Sequence, residues 1–328
     1  MKSTEIYEPS LDAEKGEGKE GTKDVFRLLF SGRKDLDLGN DFIDDLLKGM
    51  IDFHIHAAPC AFSDRIYDEE DIAIRACEAG MKAVVFKCHS APSSNRKFFV
   101  EKSVSTWAKA RGKEPVDVFG GVVLNYPVGG LNPHAVQTSI KLGGKFVWTP
   151  SVDAAHHRRV LGKAGGIEVT TESGEIVPAL KEIFEIVRKE GAILGLSHHS
   201  VRERFLLIEE ARNFGIEKII VNHPLGDINK ATPEQIQEMA EMGAYILVTY
   251  VTSVPNFWCP TANLSETLEV LKRVGFDRIV GGTELTQIGN PHPTDGIKLF
   301  LKILLFLGVT EEDLRTMFTR TPSKILYN

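Results

Sequence analysis

The chain has 328 residues, 42% hydrophobic and 26% charged, an ordinary balance for a globular protein of one large domain or two small ones. Its formal net charge of -6 leaves no basic footprint, which argues against nucleic acid or an anionic membrane surface as a partner. Four cysteines, Cys60, Cys77, Cys88 and Cys259, are spread without a C-x-x-C pair, and no cationic, apolar signal segment opens the sequence, so a reducing, cytoplasmic setting is expected.

In chain order, residues 1–40 read as a flexible, partly disordered N-terminal arm. Its "DAEKGEGKEGTKD" is rich in glycine and charge and predicts little packing, with "VFRLLF" as an apolar segment able to dock on the body. The folded part, 41–328, opens with "DFIDDLLKGM", a short helix or turn leading into a first strand.

Beyond it, β-like runs alternate with amphipathic stretches. The runs are "MIDFHIH", "KAVVFKC", "VDVFGGVVL", "KFVWTP", "AILGLSH", "KIIVNH", "AYILVTY" and "RIVGG". The apolar spacing between them predicts helices near 68–79, 94–111, 133–142, 178–190, 201–214, 233–242, 264–274 and 294–307. Several of these stop at a glycine just before the next strand, as in "CEAGMKAVV" and "RKEGAILGL", the expected C-terminal signal. Eight strands alternating with eight helices is the count of a (β/α)8 TIM barrel. The competing doubly wound sheet would usually carry a Gly-rich phosphate turn, and neither G-x-G-x-x-G nor G-x-x-x-x-G-K-[ST] occurs.

Two segments depart from the plain alternation. Residues 149–177, after the fourth strand, are long for a βα connection, and "IEVTTESGEIV" reads as a hairpin with Gly174 in its turn. "LFLKILLFLGV", from Leu299 to Val309, contains Lys302 and is far short of the roughly 20 residues that span a bilayer; it reads as a buried helix.

In a barrel, active sites lie at the C-terminal ends of the strands, and ionisable residues collect there. His54 and His56 end the first strand, Lys87, Cys88 and His89 the second, His198 and His199 the fifth and His223 the sixth, with Glu284 after the eighth. Six of the ten histidines fall at these ends. A single strand-end histidine is more often structural than functional, but several strands delivering imidazole to one mouth point to a metal. In "IDFHIH" strict alternation would put Asp52, His54 and His56 on one face, where the H-x-H pair brings two imidazoles within reach of one ion. Histidine with carboxylate suits zinc and similar divalent ions.

These motifs carry a resemblance. "DFHIH" on a first strand, "SHHS" on a fifth, "VNHP" on a sixth and an acid after the eighth resemble the amidohydrolase-type superfamily of metal-dependent hydrolases. More narrowly, "LLKGMIDFHIHAAP", "SDR", "AGMKAVVFKCH" and "TELTQIGNP" resemble an uncharacterised amidohydrolase-related barrel family, from about Asp44 to the closing "TPSKIL". The resemblance implies His54, His56, His198 or His199, and His223 as metal ligands, with one or two divalent ions, zinc first and manganese, iron or nickel as alternatives. Of the two fifth-strand histidines His198 is preferred, on the parity of Leu194 and Leu196 and its place after Ser197. Glu284 stands where the superfamily has Asp, and is expected as ligand or general base. Lys145 lies at the start of the fourth strand, whereas the superfamily's carbamylated lysine ends it. Lys87 and His89 share a strand face and stand as replacements: His89 as a ligand, Lys87 as a modified ligand, a cation for an anionic substrate or a structural lysine. Cys88 reads as a small buried hydrophobe.

The resulting expectation is a hydrolase that activates water on a divalent metal to cleave a C–N or C–O bond in a small molecule, an amide, cyclic amide or lactone. Decarboxylation, phosphoester hydrolysis and a catalytically silent metal barrel are the alternatives. Catalytic roles fall to Glu284 as base, His223 as ligand or carbonyl polariser, and Lys87. Asp52 is expected to orient a histidine or to pair with a cation. Substrate contacts are expected from Arg65, which either clamps an acidic group or pairs with Asp64 or Asp68, from His199, and from Trp258 beside Phe257. Asn125 and Tyr126 hold similar rim positions. His156, His157, Arg158 and Arg159 form either an anion site or a solvated basic turn. Self-association is compatible with a barrel enzyme, but no sequence feature specifies it.

Overall fold

The computed structural model describes residues 39–328; apart from its last two positions, the expected arm lies outside the described residues. The architecture is the (β/α)8 TIM barrel expected. Nine short parallel strands run β1 Ile51–Ile55, β2 Ala83–Phe86, β3 Asp117–Phe119, β4 Gly121–Val123, β5 Phe146–Trp148, β6 Ile193–Leu196, β7 Ile219–Asn222, β8 Tyr245–Thr249 and β9 Ile279–Gly282. Each pairs in order with the next, except that β3 and β4 belong to different ladders. They are the halves of the third barrel strand, read from sequence as one run and interrupted at Gly120, whose carbonyl accepts from the amides of Lys145 and Phe146 instead.

Through Phe306 the α-helices are α1 Asn40–Leu47, α2 Glu69–Glu78, α3 Ser94–Lys109, α4 Pro133–Lys141, α5 Ala155–Val160, α6 Pro178–Glu190, α7 Val201–Asn213, α8 Pro233–Glu241, α9 Tyr250–Ser253, α10 Leu264–Val274 and α11 Pro293–Phe306. Of these, α1 forms where a helix or turn is predicted, eight others match the predicted segments, and the short α5 and α9 lie where no helix is predicted. Their starts are chemically marked. Ser200 with Glu203 and Thr232 with Gln235 form reciprocal capping boxes at α7 and α8, satisfying amides that the first turn leaves unbonded. Among the described residues no helix is long and apolar enough to cross a membrane. The connection after β5 holds α5 and the expected hairpin, with an antiparallel bridge between Thr170 and Ile176 and Gly174 in the left-handed region at φ 87°.

Two apolar layers result. Side chains facing outward from the strands, Val84, Phe86, Val147, Leu194 and Leu196 among them, pack on the helices. Those facing inward, including Ile51, Phe53, Val85, Phe146, Trp148, Ile193 and Leu247, fill the barrel together with Ile325 and Leu326. Phe53 meets Phe146 edge-on with ring centroids 5.5 Å apart, and Phe146 stacks on Trp148 at 4.8 Å. Side chains of this size close the interior, as the fold requires.

Closure occurs between β1 and β9, and it breaks the regular alternation. Ile51 and Phe53 point into the barrel whereas Ile55 joins the outer layer, and the pairing register with β2 shifts between Asp52 and Ile55. This is a β-bulge, which re-aims the side chains that follow it. Asp52 therefore does not share a face with His54 and His56 in the simple way the sequence predicts. Its carboxylate occupies the seam: Oδ1 accepts from the Thr283 amide at 2.9 Å and the His54 amide at 3.3 Å, and Oδ2 from the Thr283 hydroxyl at 2.6 Å. The Glu284 amide then donates to the His54 carbonyl at 2.8 Å. Gly282 makes this approach possible, since a Cβ there would lie 3.0 Å from the His54 nitrogen and 3.1 Å from its Cβ.

Candidate metal centre

The bulge turns both histidines of the H-x-H pair into the mouth. His54 Nε2 and His56 Nε2 face each other at 3.4 Å, both rings buried. Glu284 reaches the same space from the segment after β9, and ligand atoms of His54, His56 and Glu284 all lie within 4.8 Å of one another. Glu284 has φ 58° and Thr286, two residues on, φ 120°. Non-glycine residues rarely adopt such values, and when they do it is often at functional sites.

The other predicted residues surround this trio. His223, just past β7 at φ 31°, brings Nε2 to 3.6 Å from Glu284 Oε1, with its ring 5.7 Å from that of His54. The Asn229 amide donates to both the His223 carbonyl at 3.1 Å and Nδ1 at 3.2 Å. The carbonyl fixes which way the amide points, so Nδ1 accepts and Nε2 carries the proton. That buried Nε2 has no hydrogen-bond partner. His89 stacks on His56 at 4.4 Å and its Nδ1 bonds the Ser151 hydroxyl at 3.0 Å. His198 packs against His223 at 5.2 Å, and its Nδ1 lies 2.6 Å from His157 Nδ1. Thus His54, His56 and Glu284 form the tight group, while His89, His198 and His223 ring it.

Of the two fifth-strand histidines, His198 is the one at the cluster, but not for the reason given by the sequence. Leu194 and Leu196 face outward, and both histidines lie beyond the end of β6. His199 is placed elsewhere: its Nε2 bonds the Thr149 hydroxyl at 2.7 Å, with Glu203 and Arg204 as charged neighbours. Asp52 neither orients an imidazole ring nor, among the described residues, pairs with a cation; it clasps the barrel seam. Trp258 is 45% exposed and donates Nε1 to the Ile288 carbonyl at 3.0 Å, and Phe257 is 83% exposed, so both stand at the outer rim. Tyr126 is exposed too, whereas Asn125 is buried and its side-chain amide reaches the His89 carbonyl at 3.1 Å and Ser151 Oγ at 3.0 Å.

His156–Arg159 form part of helix α5 rather than a turn. His156 bonds the Ile228 carbonyl, Arg159 pairs with Glu168, and His157 reaches the cluster through His198. The contact of His157 with His198 is not legible from the sequence, because His157 comes from helix α5 in the long connection after β5 and not from a strand end. Lys87 faces inward with Val85, as predicted, and Cys88 faces outward to Arg96 at 3.7 Å. Lys87 Nζ is buried without a partner, 5.9 Å from the centroid of the Trp148 ring.

Burial decides the protonation of the cluster. Desolvation, reinforced by nearby Lys87 and by neighbouring imidazoles, holds His54, His56, His89, His198 and His223 well below the usual histidine range. They are neutral at pH 7, the form that binds metal. Burial pushes the Glu284 carboxyl upward, opposed by Lys87, by the Thr249 hydroxyl donating to Oε2 at 3.0 Å and by Arg65. Burial also lowers Lys87 to about 8, with Glu284 opposing. Facing imidazole nitrogens beside a carboxylate fit a divalent ion such as zinc. His54, His56 and Glu284 would hold it.

A profile of a family of unknown function, DUF6282, matches residues 49–247. No curated protein matches the sequence. Among solved structures, an amidohydrolase from Pseudomonas aeruginosa is 13% identical with a TM-score of 0.55, over 87% of this chain and 98% of that one. An amidohydrolase from Burkholderia multivorans with bound zinc is 10% identical with a TM-score of 0.55, over 84% and 98%. Organophosphorus hydrolase from Deinococcus radiodurans is 16% identical with a TM-score of 0.52, over 86% and 93%. At these identities the likeness is one of fold, that of the amidohydrolase-type barrels.

Proposed function

Since the chain belongs to DUF6282, a family of unknown function, we propose its activity from the site: a metal-dependent hydrolase that cleaves a C–N or C–O bond of a small amide, cyclic amide or lactone. The observation that carries this reading is the convergence of His54, His56 and Glu284 within 4.8 Å at the mouth of the barrel. Zinc is the metal the donor set favours. A bound divalent ion supplies Lewis-acid charge for activating water and polarising a carbonyl.

The protein's own groups do the rest. Glu284, its pKa raised by burial, takes a proton from water at a carboxylate oxygen and returns it to the leaving nitrogen or oxygen. The Thr249 hydroxyl, 3.0 Å from Oε2, keeps that carboxylate in place. The protonated Nε2 of His223, with no partner of its own, points a donor at a developing oxyanion. Asn229 fixes that tautomer. For this reason we assign His223 to the substrate carbonyl rather than to the metal, and His198 to a position beside it.

The test is metal analysis followed by a screen of amides and lactones. Purified protein is expected to hold at least one transition ion per chain. Glu284→Gln, which keeps an oxygen at the site but no charge and no base, is expected to hold the ion more weakly and, when loaded with excess zinc, to lose about 10²- to 10⁴-fold in kcat. A protein that holds no metal and melts identically with and without chelator would overturn the reading.

A further inference from the structure

Two cationic groups in the mouth, Lys87 and Arg65, make no ion pair among the described residues. Lys87 is 1% exposed and its Nζ donates to nothing among the described residues. Arg65 has Nε and Nη1 sealed from solvent and equally unbonded, although its side chain also reaches the Cys60 thiol. It makes no ion pair with Asp64 or Asp68, and the Asp68 side chain caps α2. Its backbone is pinned over the site: Arg65 bridges to Gln287, and the Ile66 amide donates to the Thr286 carbonyl at 3.1 Å. Both cations lie close enough to act on His54, His56, His89 and Glu284.

Among the described residues Glu284 is the one carboxylate acting on Lys87, and a divalent ion held beside it would add further positive charge. Buried cations are costly unless paired and hydrogen-bonded. A guanidinium with unused N–H groups is suited to donate to the oxygens of a carboxylate or phosphate.

We propose that the small molecule processed here carries an anionic oxo group, carboxylate or phosphate, bound by Arg65 and Lys87 beside the metal. That the molecule is hydrolysed rests on the function proposed above; the anion site itself does not.

The experiment is calorimetric binding of glutarate, inorganic phosphate and the neutral glutaramide to the zinc-loaded full chain. Glutarate or phosphate is expected to bind and glutaramide not, and the anion that binds identifies the group recognised. Arg65→Met and Lys87→Met should each weaken binding about 10- to 100-fold with zinc content unchanged. The proposal is overturned if neither anion binds the wild-type protein, or if binding is unaltered in both variants, in which case the metal alone holds the anion. Should those variants misfold, titration of the metal-free wild type decides: the anion is expected still to bind, more weakly, and no binding without zinc overturns the proposal. Turnover separates the two ideas. Anion binding without hydrolysis of any amide or lactone removes the hydrolase reading alone, whereas equal kcat/KM for carboxylated and neutral substrates removes the anion site alone.

Discussion

Along the inside of the barrel, the apolar residues within the strands and the polar residues at and beyond their C-terminal ends are organised differently. The lower interior is filled by Ile51, Phe53, Phe146, Trp148 and Leu247, each reached by plain alternation along a regular strand. The upper interior carries His54, His56, His223 and Glu284, placed by a bulge and by two residues in the left-handed region. The apolar half is held by packing that tolerates no irregularity, while the polar half depends on irregular backbone at the points where the ladder ends. Stability and chemistry are therefore expected to separate along the barrel axis.

The largest contrast comes from neighbouring residues of β1. His54→Ala should abolish metal retention and lower turnover about 10³- to 10⁴-fold, with the urea midpoint of the metal-free protein barely changed. Phe53→Ala should cost roughly 3–5 kcal/mol of stability while the remaining folded fraction keeps its metal. Metal analysis and urea titration of the same two proteins would break the contrast if the losses were reversed.

Asp52 joins the two halves. Burial raises its pKa to about 7 against the opposing hydrogen bonds from Thr283 and His54, yet it supports the bulge. Asp52→Ala strands the Thr283 amide and hydroxyl, at about 1–3 kcal/mol, and is expected to weaken zinc about 10- to 100-fold, as loss of support behind a ligand does. Competition against a chelator measures this; unchanged affinity would mean that the bulge holds its shape without the clasp.

The smallest effect lies outside the mouth. His292 accepts the Thr294 amide at Nδ1 and caps α11, stacked edge-on against Tyr67. Burial, then Arg75, lowers its pKa to about 4, with Asp295 opposing. Because the folded protein favours the neutral ring, this contribution is complete above pH 6.5 and is lost as pH falls from there to about 4, on the order of 2 kcal/mol. Urea midpoints between pH 7 and 4 should fall less steeply in His292→Asn, which retains a capping oxygen but no titration.

Much of this was legible in the sequence because it depends on local patterns. Glycine stops after helices and apolar runs gave the eightfold alternation, and the positions of His54, His56, His223 and Glu284 at strand ends gave the cluster. What escaped depends on contacts distant in sequence. The shift of β1 needs Thr283 and Gly282 opposite it, and nothing within "IDFHIH" announces that Asp52 will hold the seam. His157 meets His198 through a long connection whose path no periodicity dictates. The break at Gly120 depends on which carbonyl the neighbouring strand selects.

The Asp52–Thr283 clasp joins positions 231 residues apart. Until the last barrel strand docks on the first, the two imidazoles of β1 have neither their carboxylate neighbour nor the bulge that aims them. Acquisition of chemistry is thus timed to the final act of ring closure, and any ion that binds the finished trio acts as a rivet across the joint, slowing the reopening of the ring.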